Sequence, residues 1–147
     1  MEDDKMNEKE LKRLLTLGET ETVEFKESLC EGFYKTISAF ANTRGGIILL
    51  GVDNENKIKG VDSSSKFLED LTKNIVSKLS IHPVIETINI QRRRILAFKV
   101  IRSDFLVSYE NHYYERFGNT TRKISKGKLQ ALLSKRKICN EKQSTKS

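Results

Sequence analysis

Acidic side chains flank one lysine in a short segment whose spacing suits phosphate chemistry. Glu19 and Glu24 lie five residues apart, and Lys26 follows two residues after Glu24. Because side chains alternate along a strand, Glu24 and Lys26 would share one face, and Glu19 could reach them across a turn at Gly18. Carboxylates can bind Mg²⁺ or Mn²⁺, and a lysine can neutralise developing charge, so the cluster could hydrolyse a phosphodiester. The alternative is a surface ion pair of little energetic weight.

Regular elements on both sides of this segment would hold it in place. The apolar periodicity predicts helices over 7–17, 32–43 and 63–81, with a last helix that begins after Ser125. Strands are predicted over 22–26, 47–52, 58–61 and 112–117, with a hairpin of 84–91 and 95–101 around Arg92, Arg93 and Arg94. The run 47–52 is apolar enough for an inner strand, and Gly45-Gly46 would form a tight corner before it. This pattern predicts an α/β (α+β) fold, with one domain over 1–137 and a flexible basic tail over 138–147.

Charge is distributed unevenly along the 147 residues, whose net charge is +7. Residues 1–31 carry ten acidic and five basic side chains, whereas residues 120–147 carry nine basic side chains and one acidic. Such asymmetry favours a nucleic-acid or other anionic partner, although a solvated basic helix is equally compatible with it. The expected phosphate contacts cluster near one strand-to-helix junction: Arg116, Arg122, Lys123, Lys126 and Lys128. Arg92, Arg93 and Arg94 form a second candidate group, and His112-Tyr113-Tyr114 could stack on bases, with at least one tyrosine in the core.

Several classes of protein and site are disfavoured. No apolar run is long enough to span a membrane, and the acidic start lacks a secretory signal, so we expect a cytoplasmic protein. Cys30 and Cys139 are expected to be free thiols. The glycines near residue 45 are not followed by the Gly-Lys-Ser/Thr of a phosphate-binding loop, which argues against ATP. His82 and His112 lack the spacing of a structural zinc site.

Four ordered motifs together resemble those of the Schlafen AlbA-2 domain family. They are Val23-Glu24-Phe25-Lys26, then Phe40-Ala41-Asn42-Thr43-x-Gly45-Gly46, then Gly51-Val52-Asp53, and finally Arg116-Phe117-Gly118-Asn119-Thr120. The resemblance extends over roughly residues 10–133. It implies a mixed sheet flanked by helices that binds nucleic acid, a single lobe of the kind that is paired around a basic valley in eukaryotic Schlafens. For a chain with one lobe, it implies a homodimer.

The resemblance also implies roles for individual residues. In the nucleolytic members, Glu19, Glu24 and Lys26 would match the active-site glutamates and lysine, and a later acid would complete a Mg²⁺ or Mn²⁺ site. Asn54 stands where the family commonly has that acid, so Asp53 would substitute only if the turn brings it inward. The predicted function is a metal-dependent endoribonuclease acting on structured RNA such as transfer RNA. The alternatives are a non-catalytic DNA-binding module, as in prokaryotic relatives described as transcriptional regulators, and a protein-interaction adaptor.

Overall fold

The structure is a computed structural model that describes residues 6–138, with side chains described for residues 6–136. Four helices lie within these residues: α1 (Glu8–Leu17), α2 (Glu31–Asn42), α3 (Ser65–Leu79) and α4 (Lys126–Leu133). The strands are β1 (Val23–Lys26), β2 (Gly46–Leu50), β3 (Val84–Ile90), β4 (Arg93–Val100), β5 (Phe105–Leu106), β6 (Ser108–Tyr109), β7 (His112–Phe117), β8 (Thr120–Lys123) and β9 (Lys137–Ile138). The predicted mixed α+β class is confirmed. The predicted tail lies outside the described residues from 139 onward.

A mixed four-stranded sheet with the order β1-β2-β4-β3 forms the centre of the fold. β1 and β2 run parallel, with Val23 opposite Ile47, whereas β2 and β4 are antiparallel, as are β3 and β4. β2 is therefore an inner strand, as its apolar sequence predicts. Its carboxyl end stays beside β1 because the Lys26 carbonyl accepts hydrogen bonds from the N–H groups of Gly51 and Val52, at 2.7 and 3.2 Å.

Apolar side chains cover both faces of this sheet. On one face, Leu11 and Leu14 of α1 pack against residues that include Val23 and Phe25. On the other face, α2 and α3 pack on the alternate residues of the strands, with Phe33 among the fully buried side chains. Burial of these apolar surfaces is the main source of stability in such a domain. Alternation along β1 leaves Glu24 and Lys26 on the α2 side of the sheet.

Helix α2 joins the central sheet to a smaller one. The order of the second sheet is β6-β7-β8, and β7 packs against α2. Asn42, which is buried near the end of α2, donates its amide to the Val107 and Tyr114 carbonyls, both at 2.9 Å, and accepts the Val107 N–H at 2.7 Å. Arg136 donates at 2.7 Å to the Asn42 carbonyl, which satisfies a free acceptor at the carboxyl end of α2.

The Gly45-Gly46 corner is as tight as the sequence predicts. Gly45 has φ +76, and a Cβ at that position would lie 2.7 Å from the Val100 carbonyl oxygen. A Cβ on Gly46 would lie 2.8 Å from the Thr22 carbonyl oxygen and 2.9 Å from the Phe40 ring. These glycines let the chain leave α2 and enter β2 directly beside β1. The element that follows them is this strand and not a helix.

The structure corrects several predicted elements. The strand expected over 58–61 is reduced to an isolated bridge between Val52 and Ile58. The turn between β3 and β4 consists of Gln91 and Arg92, both at positive φ, whereas Arg93 and Arg94 are already paired in β4. The short strands β5, β6, β8 and β9 were not predicted. Across the described residues, no helix combines the length and apolar character required to cross a bilayer.

Candidate functional site

β1 places two of the predicted site residues on one face. Val23 and Phe25 are buried under α1, so Glu24 and Lys26 point to the opposite side. Glu24 is 9% exposed, and its Oε2 lies 3.8 Å from the Lys26 Nζ. The short-range geometry predicted for this pair is thus present, although Glu24 is more deeply buried than a surface ion pair would be.

A buried arginine from β7 holds Glu24 from the other side. Arg116 Nη1 donates to Glu24 Oε1 at 2.7 Å, and the arginine side chain is 1% exposed. The same guanidinium donates to Thr121 Oγ1 and to three backbone carbonyls of the segment that enters and forms β1, those of Thr20, Glu21 and Val23. The sequence predicts Arg116 to be one of the phosphate contacts. In the structure its side chain instead fastens the β7–β8 hairpin to β1.

Glu19 lies beside Glu24 because the chain folds back at residues 20–23. The Thr20 N–H donates to the Val23 carbonyl at 3.0 Å, and Glu19 Oε2 accepts the Phe25 N–H at 2.9 Å. Burial raises the pKa of Glu24 to about 7; the hydrogen bond with Glu19 and its charge add to this, and Arg116 opposes it. The two glutamates and the lysine therefore do come together, with a carboxyl that can be neutral near physiological pH.

A pocket of about 330 Å³ opens beside this cluster, and we call it the Lys26 pocket. It is lined by Glu24, Lys26, Gly32, Lys35, Thr36, Asn119, Thr120 and Thr121. A Cβ on Gly32 would lie 3.0 Å from the Lys26 Nζ, so this glycine leaves the space that the lysine uses. Two lysines and three threonines are among the lining residues, although the Lys35 Nζ also lies 3.7 Å from Glu31. Such a lining suits a phosphate oxygen better than an apolar ligand.

Asp53 does not complete a metal site with the two glutamates. Its Oδ1 accepts the N–H groups of Glu55 at 2.8 Å and Lys57 at 2.9 Å, and its Oδ2 lies 3.8 Å from the Lys59 Nζ. The hydrogen bond from Lys57 is the largest cause that lowers the pKa of Asp53, with smaller contributions from Glu55 and Lys59. Asn54 is exposed.

The predicted Mg²⁺ or Mn²⁺ therefore does not fit the side chains as they are arranged. Among the residues that the structure describes, no three His, Cys, Asp or Glu side chains are grouped to hold a metal ion. One oxygen of each predicted ligand is already used within the protein: Glu24 Oε1 by Arg116, Glu19 Oε2 by the backbone, and Asp53 Oδ1 by its own turn. A hard divalent cation needs several free oxygens at one point.

Four basic residues of β8 and α4 follow Thr120 and Thr121, the pocket residues of β8, in the chain. We call these four the basic rim: Arg122, Lys123, Lys126 and Lys128. Arg122 and Lys128 share the buried carboxylate of Glu115, at 2.9 and 2.5 Å. Burial would raise the pKa of Glu115, but the hydrogen bonds from Lys128 and Arg122 outweigh it and hold that pKa below its usual value. Lys123 and Lys126 are exposed and have no acidic partner within residues 6–138.

The other predicted contacts lie elsewhere. Arg93 donates to the Ile58 carbonyl and lines a separate pocket with Lys57 and Lys59, whereas Arg94 donates to Ser63. Because neighbouring residues of β4 point to opposite faces, Arg93 and Arg94 do not form one patch, and Arg92 occupies the turn. Of the two tyrosines, Tyr114 is buried, which confirms that one belongs to the core.

Comparison with known proteins identifies the family. A family model described as Schlafen, AlbA_2 matches residues 19–125. The chain belongs to the Schlafen AlbA_2 family. That range includes the paired glutamates and all but the last two members of the basic rim, and it confirms the resemblance that the motifs predicted.

Two solved structures share the AlbA_2 fold at low sequence identity. The DIP2311 protein from Corynebacterium diphtheriae superposes with a TM-score of 0.66 at 16% identity, over 80% of this chain and 27% of that one. The N-terminal domain of a RecG-related protein from Nitrosomonas europaea gives a TM-score of 0.54 at 20% identity, over 78% and 90% of the two chains. This AlbA_2 chain thus spans about a quarter of the Corynebacterium protein and nearly all of the Nitrosomonas domain.

The structure adds pocket residues that the sequence analysis missed. Lys35 and Thr36 are on α2, and Thr121 is on β8, a strand that had not been predicted. The Thr36 and Thr121 hydroxyls are 3.2 Å apart although the residues are 85 positions apart in the chain. The Gly118-Asn119 pair between two β-prone segments is a hairpin signal, and it could have revealed β8 in this AlbA_2 chain.

Proposed function

We propose that this domain binds nucleic acid through its phosphate backbone, at the Lys26 pocket and along the basic rim. The observation that carries the proposal is that Lys26 and Lys35 line one concave site together with three threonines. Lys123 and Lys126 extend the positive charge along the chain from its Thr121 side. Phosphate contacts of this kind give sequence-independent affinity that weakens as salt is added.

Structured RNA is the proposed partner in preference to duplex DNA. The nucleolytic Schlafens that the motifs resemble act on transfer and ribosomal RNA, which favours RNA. The second solved neighbour is a domain of a RecG-related protein, a name that refers to DNA metabolism, and it keeps a non-catalytic DNA-binding role as the alternative. Competition between a transfer RNA and a DNA duplex for one labelled probe separates the two, because tighter binding of the duplex would favour the alternative.

A salt titration tests the phosphate contacts. The full chain is titrated into labelled transfer RNA between 50 and 200 mM salt, followed by fluorescence anisotropy. Lys123→Gln combined with Lys126→Gln should weaken binding and reduce the slope of log affinity against log salt by about 1.5, since each lost contact removes about 0.7–0.9. The matched control replaces Lys66 and Lys73, which are exposed on α3 and paired with acids on the same helix. An unchanged slope, or an equal change in the control, would remove the basic rim from the interface.

RNA cleavage is a second candidate, supported by the contact of Glu19 and Glu24 and by the position of Lys26 at the pocket. In the described part of the chain, the acids are not arranged to hold a divalent cation. Incubation of transfer RNA with the chain, with Mn²⁺ or with a chelator, tests for cleavage. Glu24→Gln should abolish cutting and retain binding, whereas Glu55→Gln, an exposed acid away from the pocket, should cut normally. Cutting that survives Glu24→Gln, or its absence from the wild type, would exclude this candidate.

A homodimer is the proposed assembly, because the basic valley of the eukaryotic relatives is built from two lobes and this sequence carries one. Light scattering at micromolar concentration tests this directly. A mass of 16.9 kDa would identify a monomer and contradict the proposal, whereas twice that mass would support it.

A further inference from the structure

One large apolar side chain stands outside both cores, at the end of β7. Phe117 is 61% exposed and lies opposite Thr120 across the two-residue turn formed by Gly118 and Asn119. A single exposed phenylalanine is common on protein surfaces and carries no meaning alone. Its surroundings are what distinguish this one.

An arginine covers one side of the Phe117 ring. Arg122 lies diagonally across the hairpin from Phe117, and its guanidinium carbon is 3.9 Å from the ring centroid. The Arg122 Nε donates to Glu115 at 2.9 Å, and Lys128 holds the other oxygen of that buried carboxylate. The guanidinium is therefore fixed in orientation before any ligand arrives, which lowers the entropy lost on binding.

The hairpin tip that carries the ring borders the Lys26 pocket. Asn119, Thr120 and Thr121 line that pocket, and Thr120 is the residue paired with Phe117. A nucleotide bound by its phosphate in the pocket would have the hairpin tip as a neighbouring surface for its base. Bases stack on aromatic rings whatever their identity, but a base inside a continuous duplex is already stacked on its neighbours.

We infer that Phe117, backed by Arg122, is a stacking platform for an unpaired base of the nucleic acid whose phosphate lies in the Lys26 pocket. The inference rests on the proposed function and adds a selectivity to it: strands with unpaired or splayed nucleotides are bound in preference to continuous duplex. The sequence predicts base stacking by the His112–Tyr114 segment with at least one tyrosine in the core, and Tyr114 is buried. Phe117 is a further aromatic ring at the end of the same strand.

Two RNAs of equal phosphate number test the platform: a blunt duplex, and a hairpin with an unpaired extension that contains 2-aminopurine. For the wild type, we expect tighter binding of the second RNA and quenching of its 2-aminopurine fluorescence. Phe117→Ala should weaken binding of the extended RNA by about 5- to 100-fold, the range for loss of one stacked base, and the duplex by less than about twofold. Phe117→Tyr should retain the preference, and Phe117→Leu should lose it.

The controls separate this inference from the function on which it rests. Ile101→Ala removes another exposed apolar side chain, 79% accessible and outside the pocket, and should change neither affinity. A wild type that binds neither RNA overturns the proposed function itself. If the wild type binds with the expected salt slope, but Phe117→Ala weakens both RNAs equally or neither, only the platform is overturned. Retention of the preference by Phe117→Leu also overturns it.

Discussion

Replacing Arg116 with methionine tests how firmly the β7–β8 hairpin is fastened to β1. The guanidinium makes five hydrogen bonds: to the Glu24 carboxylate, the Thr121 hydroxyl and the carbonyls of Thr20, Glu21 and Val23. It also lies 4.9 Å from the Phe40 ring centroid. Methionine fills part of the volume but leaves these acceptors without a donor.

The size of the effect follows from the loss of one partner of a buried ion pair, which costs about 3–5 kcal/mol. Glu24 can relieve part of that loss by taking up a proton, since burial already raises its pKa to about 7. We therefore expect about 3 kcal/mol of lost stability at pH 6 and a larger loss at pH 8. Arg116→Lys keeps the charge but not the planar fork, and about 2 kcal/mol is expected.

Urea unfolding followed by circular dichroism measures both variants, with thermal melting as a second readout. For a domain of this size, 3 kcal/mol corresponds to a fall of roughly 10 °C in the melting temperature. Arg44→Met is the matched control, because Arg44 makes a 2.8 Å pair with Glu21 but is 70% exposed, and such pairs contribute about 0–1 kcal/mol. If Arg116→Met lost no more than Arg44→Met, the role assigned to the buried fork would be refuted.

Three other changes test separate parts of the structure. Because burial raises the pKa of Glu24 to about 7, the folded chain binds that proton more tightly than the unfolded chain, so stability should fall as pH rises from about 4.5 to about 7. Glu24→Gln should reduce this dependence of the unfolding free energy on pH, as measured by urea unfolding. Parallel curves of stability against pH for the wild type and the variant would contradict the prediction. The Gly32→Ala variant should melt at the same or a slightly higher temperature than the wild type. Its RNA affinity, measured by anisotropy, should be lower because the added methyl group displaces the Lys26 side chain. Undiminished affinity would remove Lys26 from the interface. Asn42→Ala should lower the free energy of unfolding by about 2–4 kcal/mol, because buried backbone groups lose their hydrogen-bond partners. The control Asn54→Ala, at an exposed position, should lower it by less than about 0.5 kcal/mol. Equal losses would refute the role of Asn42.

Local patterns in the sequence were sufficient for much of the fold. Alternation in Val23–Lys26 predicted that Glu24 and Lys26 share one face of the strand, and the structure agrees. The Asn7 and Ser64 side chains cap their helices by accepting hydrogen bonds from the N–H groups of Glu10 and Phe67, and both residues are of a type that favours this position. Such features depend on neighbours within a few residues, which a sequence displays directly.

The site was harder to predict because its contacts are long-range. Arg116 and Glu24 are 92 positions apart, and nothing in the local sequence around Arg116 distinguishes a buried arginine from an exposed one. Arginine and lysine side chains are usually exposed, so the sequence predicts Arg116 to lie with Arg122 and Lys123 among the phosphate contacts. For Asp53 the decisive contacts are local. Its carboxylate accepts hydrogen bonds from the N–H groups of its own turn, as aspartate side chains often do, and is not available as a ligand at the glutamates.

The contact between Arg116 and Glu24 gives the site its shape as well as its stability. One wall of the Lys26 pocket comes from β1 and α2, and the other comes from the hairpin residues Asn119 to Thr121. Arg116 is the hairpin residue that reaches across to β1, and its bond to Thr121 fixes the second wall at the same time. A carboxylate held in this way would still face the pocket with its other oxygen, 3.8 Å from Lys26. The buried pair is thus the reason that residues nearly one hundred positions apart can present a single polar cavity to a phosphate.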